Sequence, residues 1–312
     1  MQVTTTSFGQ NFLNQINQLE NRQTQLQNEA SSGLSMTSPE DNPTAMNQVL
    51  SLQTEDSANT QFQSNISNVQ ATADTSSDAL NQLQSIIEKA QELATSANGV
   101  TSSSQLTTLA SQVSGLITEA LGVANTTDSQ GNYIFAGTNG GSPAFTATTD
   151  ADGNVTGVTY NGTTDVSQTE IGAGLTVSAT APGENNTGSG AAGVFSDSRT
   201  GANIFSDLIS LQQNLASGNS TAVATTNTPA LDKDEANVVS QISANGVMQS
   251  TLQSTSTNET DESQTMESQM SGDTSADLAK TLTLLSQTQA AYQASLESGV
   301  MVSSLSLMDY LQ

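Results

Sequence analysis

Two acidic clusters are the residues of this sequence best suited, by type and spacing, to catalysis. Asp232, Asp234 and Glu235 lie close together, as do Asp261 and Glu262. Paired carboxylates act as general acid and base when burial raises the pKa of one of them. The residues around both clusters are polar and have a helical pattern. We therefore expect two solvated helix faces, with nothing to desolvate either cluster.

The residue types that the chain lacks exclude other chemistries. The 312 residues include no cysteine and no histidine. This rules out disulfides, thiol catalysis, histidine-based metal sites and serine–histidine catalysis. No nucleophile has an evident base nearby in the sequence. The composition therefore favours a protein that is not an enzyme and that uses no cofactor and no metal.

Two glycine-containing segments have the letters of ligand-binding loops. Gly188-Ser189-Gly190-Ala191-Ala192-Gly193 has the spacing of a dinucleotide fingerprint, but that fingerprint requires a strand before it and a helix after it. Asp150-Ala151-Asp152-Gly153-Asn154 is spaced like the start of a calcium loop, yet Asn161 stands where the closing glutamate is required. We interpret the first as a flexible loop and the second as a tight turn between strands.

The charge of the chain limits its partners. It carries 30 acidic and 5 basic residues, for a formal net charge of −25. Such a chain repels phosphate backbones and anionic lipids, so we expect no nucleic acid and no membrane among its partners. Two explanations of the imbalance stay open: an acidic exterior that protonates carboxylates, or a composition typical of the lineage. The N-terminus lacks the basic and apolar segments of a secretory signal.

The strongest structural pattern lies in the last segment, residues 277–312. Alternating four- and three-residue steps connect Leu278, Leu282, Leu285, Gln289, Tyr292, Leu296 and Gly299. This is the seam of a coiled-coil helix, whose apolar stripe needs a partner to cover it. A matching stripe near the N-terminus connects Phe12, Ile16, Leu19, Gln23, Leu26, Ala30 and Gly33.

Helices also occupy most of the chain between the two stripes. Asn42-Pro43 is a plausible N-cap and first residue for a second long helix, from about Thr44 to Ala97. Serines 102 to 104 can cap a third helix. Further helices are predicted from Asn203 to about residue 216, and after Pro229.

A β-rich insertion interrupts these helices from Gly131 onward. Short strands are predicted at residues 132–138, beside the hairpin dipeptide Asn161-Gly162, at residues 171–177 and at Val194-Phe195. The fold class is therefore mainly α with an inserted β domain, in which long terminal coiled-coil helices flank a small β-rich outer domain. The predicted segments are an N-terminal core helix and turn (1–43), rod helices (44–130), the β-rich domain (131–198), returning rod helices (199–276) and a C-terminal core helix (277–312).

Three segments resemble the flagellin superfamily. Residues 32–45, from Ser32-Gly33 to Thr44-Ala45, are similar to the family's Ser-Gly, basic pair and Ser-Pro-x-Asp-Asp-Pro, although Leu34-Ser35 replaces the basic pair and Asn42 the second aspartate. Gly131-Asn132-Tyr133-Ile134-Phe135-Ala136-Gly137-Thr138 resembles the family's Gly-x-Tyr-x-Phe-x-Gly-Thr. Ser306-Leu307-Met308-Asp309-Tyr310-Leu311 resembles the ending of its hook-associated members.

The resemblance implies a structural part of the bacterial flagellum at the junction of hook and filament. It also implies export through the flagellar type III channel without a cleaved signal peptide. The implied partners are further copies of the chain in a ring or helical tube, hook-associated protein 1, flagellin or the filament cap protein, and a flagellar export chaperone. Two alternatives stay open, a flagellin filament subunit and a non-flagellar coiled-coil fibre or adhesin.

The uncovered stripes indicate where assembly takes place. The expected interface residues are Phe12, Ile16, Leu19, Leu26, Leu278, Leu282, Leu285, Tyr292, Leu296, Leu305, Leu307, Tyr310 and Leu311. Because Gln23 and Gln289 interrupt the stripes, we expect their mutual pairing to be weak. Both ends are then mobile in the monomer and become ordered among neighbouring subunits.

Overall fold

Long helices begin and end the chain, and short strands lie between them. The computed structural model describes residues 2–36, 40, 42–100 and 102–310, with side-chain surroundings for residues 9–301 of these. The helices are α1 (Gln2–Ser32), α2 (Pro43–Ala97), α3 (Ser103–Ala124), α4 (Ile204–Ala216), the short α5 (Ser220–Ala222), α6 (Thr228–Thr274) and α7 (Leu278–Tyr310), with a π-helical turn at Val223–Asn227. The predicted fold class is confirmed.

The start of α2 follows the predicted local chemistry. The side-chain Oδ1 of Asn42 accepts a hydrogen bond from the backbone N–H of Ala45 at 3.2 Å, and Pro43 is the first helical residue. Proline suits this position because its missing N–H has no helical partner there. Beyond the last residue, Ala97, Gly99 adopts a φ of +99°, which favours glycine.

The chain divides into two compact units. The terminal unit consists of Met1–Ser57 and Glu262–Gln312, and the central unit of Ala58–Asp261. In the central unit, the apolar stripe of α2 packs with α3 and α4 around fully buried residues that include Leu83, Ile87, Ile117, Leu208 and Leu211. This core accounts for most of the large buried side chains in the described part of the chain.

An aromatic cluster lies where the strands of the central unit meet α4. The ring centroids of Phe195 and Phe205 are 5.5 Å apart and stacked, and Phe145 lies 5.1 Å from Phe195 and 5.3 Å from Phe205. The ring of Phe135 lies 5.4 Å from that of Phe195, and the ring of Tyr160 lies 5.0 Å from that of Phe145. Aromatic side chains bury the largest areas of any residue type, so this cluster anchors the β-rich region to the helices.

The strands are β1 (Phe145–Thr149), β2 (Val155–Tyr160), β3 (Thr169–Gly172), β4 (Leu175–Val177), β5 (Glu184–Asn185), β6 (Ser196–Asp197) and β7 (Ala202–Asn203). β1 and β2 form an antiparallel hairpin, as do β3 and β4. β6 lies between β5, which is parallel to it, and β7, which is antiparallel.

The predicted strand beside Asn161-Gly162 is confirmed as β2, whereas three other strand predictions and the hairpin turn at Asn161-Gly162 are wrong in detail. Residues 132–138 form turns with single bridges, because Ile134, Phe135 and Ala136 are all buried where a half-exposed strand would alternate. Asn161-Gly162 is not the hairpin turn; the N–H of Asn161 continues the ladder by donating to the carbonyl of Ala144. Residues 171–177 form parts of two strands joined at Gly174, and the last predicted strand lies at Ser196–Asp197 rather than at Val194-Phe195.

Candidate assembly interface

In the terminal unit, α1 and α7 pack against each other along their length. From α1 the contact face carries Leu26, which is 1% exposed, and the half-buried Phe12, Ile16 and Leu19. The ring of Phe12 lies directly over Gly299, where a methyl group would collide with it. The N-terminal stripe predicted from its four-three spacing therefore faces the other terminal helix.

The contact face of α7 is displaced from its predicted stripe. Thr281 is buried, and Leu284, Leu285, Thr288, Tyr292, Ser295 and Gly299 are half-buried. Leu278 and Leu282 are 48% and 53% exposed, and Leu296 is 43% exposed. Successive helical residues are about 100° apart, which places the exposed leucines roughly one residue position around the helix from the face that α1 covers.

The helix α7 thus has a second apolar surface, here called the exposed leucine face. It consists of Leu278, Leu282, Leu296 and Val300, the last of which is 70% exposed. Met301 lies beside it and is 64% exposed. The exposed polar residues Ser286, Gln289 and Gln293 separate Leu278 and Leu282 from the group around Leu296. Clustered apolar side chains left in solvent mark surfaces that bind other molecules.

The predicted interface residues therefore fall into three groups. The structure brings Phe12, Ile16, Leu19, Leu26, Leu285 and Tyr292 together in the contact between α1 and α7. It leaves Leu278, Leu282 and Leu296 on the exposed leucine face. Leu305, Leu307 and Tyr310 lie on α7 beyond the described side chains, and Leu311 lies outside the described residues.

The exposed leucine face has almost no charge. Between Leu278 and Met301, the charged residues are Lys280 and Glu297. Two ion pairs among the described residues join Lys89 to Glu119 and Arg199 to Asp197, and both lie in the central unit. Association at this face would thus be driven by apolar burial, which salt does not screen.

The helices of the described residues include none with the length and hydropathy of a membrane span.

The helix ends beside this pair are joined by a short backbone ladder that the sequence reasoning did not foresee. After α1, Gly33 adopts a φ of +73° and accepts a hydrogen bond from the N–H of Ala276 at 2.8 Å. The N–H of Ser35 donates to the carbonyl of Thr274 at 2.7 Å. Asp277 then caps α7 by accepting from the N–H of Lys280. The end of α1 and the break between α6 and α7 therefore stabilise each other.

The acidic cluster of Asp232, Asp234 and Glu235 is not the fully solvated helix face that was predicted. Asp232 and Glu235 do accept hydrogen bonds from the amide of Gln91 on α2, at 3.1 and 2.9 Å. Asp234 is instead fully buried, at 0% exposure. Burial, with the charge of Asp207 second, raises the pKa of Asp234 to about 8. The expectation that nothing desolvates this cluster is wrong, because α6 turns this position toward the N-terminus of α4.

The calcium-like segment is the tight turn that joins β1 to β2, as predicted. Oδ1 of Asp150 accepts hydrogen bonds from the N–H groups of Asp152 and Asn154 at 3.0 and 2.8 Å, and Gly153 has a φ of +84°. These hydrogen bonds lower the pKa of Asp150. The same five-residue pattern, Asp128-Ser129-Gln130-Gly131-Asn132, makes an equivalent turn. This second turn was not predicted from the sequence, although its residues have the same spacing as those of the first.

The segment with the dinucleotide spacing precedes no helix. The amide of Asn185 donates to the carbonyls of Ser189 and Ala191 at 2.7 and 2.6 Å, and the N–H of Gly193 donates to the carboxylate of Asp197 at 2.9 Å. Bidentate hydrogen bonds from Arg199 lower the pKa of Asp197 to about 2. Side chains from either side of the segment, Asn185 and Asp197, hold its backbone, so it has no open phosphate cradle.

Known flagellar proteins are similar to this chain in sequence over part of its length and in fold over more of it. The sequence profile of the bacterial flagellin N-terminal helical region matches residues 3–140. Flagellar hook-associated protein 3 of Escherichia coli strain K12 is 34% identical over 110 residues, which are 34% of this chain and 34% of that protein. The aligned region is thus about a third of the curated relative.

Solved structures resemble a larger part of the chain. A candidate flagellar hook-associated protein from Vibrio parahaemolyticus superposes with a TM-score of 0.63 at 20% identity, covering 75% of this chain and 100% of that one. The flagellar junction protein FlgL from Legionella pneumophila superposes with a TM-score of 0.56 at 16% identity, covering 73% and 100%. Residues 3–140 are therefore similar to the bacterial flagellin N-terminal helical region, and about three quarters of the chain shares the fold of these two solved structures.

Proposed function

We propose that this chain is a structural subunit of the bacterial flagellum that joins the hook to the filament. Its relatives include a hook-associated protein and a protein described as a flagellar junction protein. The chain has no role as an enzyme in this proposal. It leaves the cell through the flagellar export channel without a cleaved signal peptide and contacts hook-associated protein 1 on one side and flagellin or the filament cap on the other, after release from an export chaperone.

The observation that carries the proposal is the exposed leucine face of α7. Full burial of a leucine side chain contributes about 1.5–3 kcal/mol. The leucines of this face are about half exposed, so each still has roughly 1 kcal/mol to gain in an assembly. One such contact is weak, but repetition around a ring of identical subunits makes the sum large.

The test substitutes serine for Leu282 and Leu296 together in the full-length chain. The control is Val247→Ser, which changes a side chain that is 68% exposed on α6 in the central unit. Each variant replaces the chromosomal copy, and motility, filament attachment and immunogold labelling at the hook tip are recorded. We expect the double variant to lose label and filaments, while Val247→Ser keeps both. Normal filaments in the double variant would contradict the proposal.

A flagellin filament subunit is the second candidate, because the matching profile is that of the flagellin N-terminal region. Labelling of the wild-type chain separates the two. A single band at the end of the hook supports the junction protein, and label along the whole filament supports flagellin. Label over the cell surface, away from any flagellum, would support the remaining alternative of a fibre or adhesin.

A further inference from the structure

Asp234 is the most completely buried acidic residue in the described part of the chain. Its exposure is 0%, against 1% for Asp197, which has Arg199 as a bonded cation. Oδ1 of Asp234 accepts a hydrogen bond from the backbone N–H of Asn203 at 2.9 Å. Its other oxygen, Oδ2, is buried and has no donor within the described residues. A carboxylate held in this way is costly, because half of its acceptor capacity is desolvated and unused.

The nearest group able to complete this environment is a second carboxyl. Asn203 caps α4, its side chain accepting from the N–H of Ser206, and Asp207 lies in the first turn of the same helix. Asp207 is half-buried, and the carboxyls of Asp207 and Asp234 are within hydrogen-bonding reach of each other. Two such groups cannot both be ionised cheaply, whereas one proton between them supplies the missing donor.

The other charges around the pair do not neutralise it. Lys233, next in sequence on α6, acts on both carboxyls, but less than burial does. Asp232 and Glu235 on α6 bond Gln91 instead. In the β6–β7 hairpin, Arg199 is engaged by Asp197 at 2.6 Å.

We propose that Asp207 and Asp234 share one proton, which fastens the N-terminus of α4 to α6 in acid and neutral media and is released in alkali. Asp234 then donates from Oδ2 to the carboxylate of Asp207, and both oxygens of Asp234 are satisfied. Loss of the proton leaves two facing carboxylates beside Phe205 and Leu208, which are core residues of α4. A low pH therefore stabilises the central unit at the contact between Asp207 on α4 and Asp234 on α6.

The raised pKa of Asp234 sets the direction in which the stability of the central unit changes with pH. Burial raises the pKa of Asp234 from 3.8 to about 8, so the folded chain binds one more proton than the unfolded chain between these values. The stabilisation is complete below pH 3.8 and is lost as the pH rises toward 8. The chain has no histidine and no cysteine. Hence no side chain with an ordinary pKa titrates between about pH 5.5 and 7.5.

The test measures the melting temperature of the full chain between pH 5 and pH 8, at constant ionic strength. We expect the melting temperature of the central unit to fall by about 10 °C in the wild type. In Asp234→Asn, whose amide is a neutral group of the same shape, we expect the melting temperature to stay level over this range. The matched control is Asp78→Asn, an exposed position on α2 in the same unit. It should keep the slope of the wild type.

A direct reading of the proton comes from the carboxyl ¹³C resonances of aspartate-labelled wild-type chain. We expect one aspartate resonance to titrate with its midpoint at about pH 8, which supports the shared proton even where Asp234→Asn folds poorly. Three results would overturn the proposal: a level melting temperature in the wild type, an unchanged slope in Asp234→Asn, or titration of every aspartate below pH 5.

Discussion

The central unit and the terminal unit differ in how completely they bury their apolar side chains. The central unit encloses four of the seven phenylalanines of the chain in one cluster and buries residues such as Leu83, Ile87 and Ile117 completely. In the pair of α1 and α7, Leu26 is buried, but most other contact residues are half-buried. One unit completes its core within the chain, and the other leaves apolar surface uncovered.

The difference teaches where each unit obtains its stability. Two helices packed by one narrow seam bury too little surface to offset the conformational entropy of ordering about 30 residues each. We therefore expect the central unit to stay folded in solution and the terminal helices to gain most of their stability on assembly. Substitutions in the two units should therefore affect different measurements.

Phe195→Ala is expected to have the largest effect. Phe195 is 0% exposed and contacts Phe135, Phe145 and Phe205. Its removal leaves a cavity, which should lower the free energy of unfolding of the central unit by about 3–5 kcal/mol. Urea denaturation followed by near-ultraviolet circular dichroism measures this. A loss below 1 kcal/mol would show that the cluster does not hold the unit together.

Leu26→Ala applies the same kind of truncation to the terminal unit. We expect a cost of about 2 kcal/mol, at the low end for buried leucine because the seam is narrow and collapses easily. The loss should appear as weaker protection of α1 and α7 from hydrogen exchange in assembled junctions, where these helices are ordered. The melting temperature of the central unit should not change. A drop in that temperature would contradict the separation of the two units.

Arg199→Gln tests an ion pair inside the central unit. Arg199 is 39% exposed, so solvent screens part of the interaction and we expect only a modest loss of stability at pH 7. Because the pKa of Asp197 is lowered to about 2, the contribution is present above pH 3.8 and is lost as the pH falls toward 2. Wild type and variant should therefore converge in stability near pH 2. Urea midpoints at pH 7, 4 and 2 measure this, and a constant difference would oppose it.

Gly299→Ala is expected to have the smallest effect on the isolated chain. Alanine favours the helix by about 1 kcal/mol relative to glycine, but its methyl group collides with the ring of Phe12. The two effects oppose each other, so we expect a net change below about 1 kcal/mol. Gly272→Ala, on α6 in the same unit with open space around it, is the control and should show the helical gain alone. An equal gain in both would show that Phe12 does not pack on Gly299.

Local sequence chemistry predicted much of this fold. The four-three spacing located the two stripes, and Asn42-Pro43 located the start of α2. These signals depend on neighbours within one or two turns, which a single sequence displays directly. The face of α7 that α1 covers was predicted only in part, because its residues Thr281, Thr288 and Ser295 are polar and are covered by a helix at the other end of the sequence.

Long-range contacts explain the other errors. Asp234 was assigned to solvent because its neighbours in sequence are charged, whereas its surroundings are set by α4 and Asn203. The amide of Asn59 was likewise not expected to donate to the carbonyl of Glu259, 200 residues away. Strands of two or three residues, such as β5 and β7, are too short to produce an alternating pattern. The segment boundaries predicted at 43, 130, 198 and 276 stay predictions.

Hydrogen exchange by mass spectrometry tests the central claim most directly, because it reads both units in one sample. The full chain is measured as a monomer and again in purified hook–filament junctions. We predict rapid exchange of residues 282–296 in the monomer and strong protection in the assembly, while the peptides around Phe195 are protected in both. Strong protection of residues 282–296 in the monomer would contradict this account.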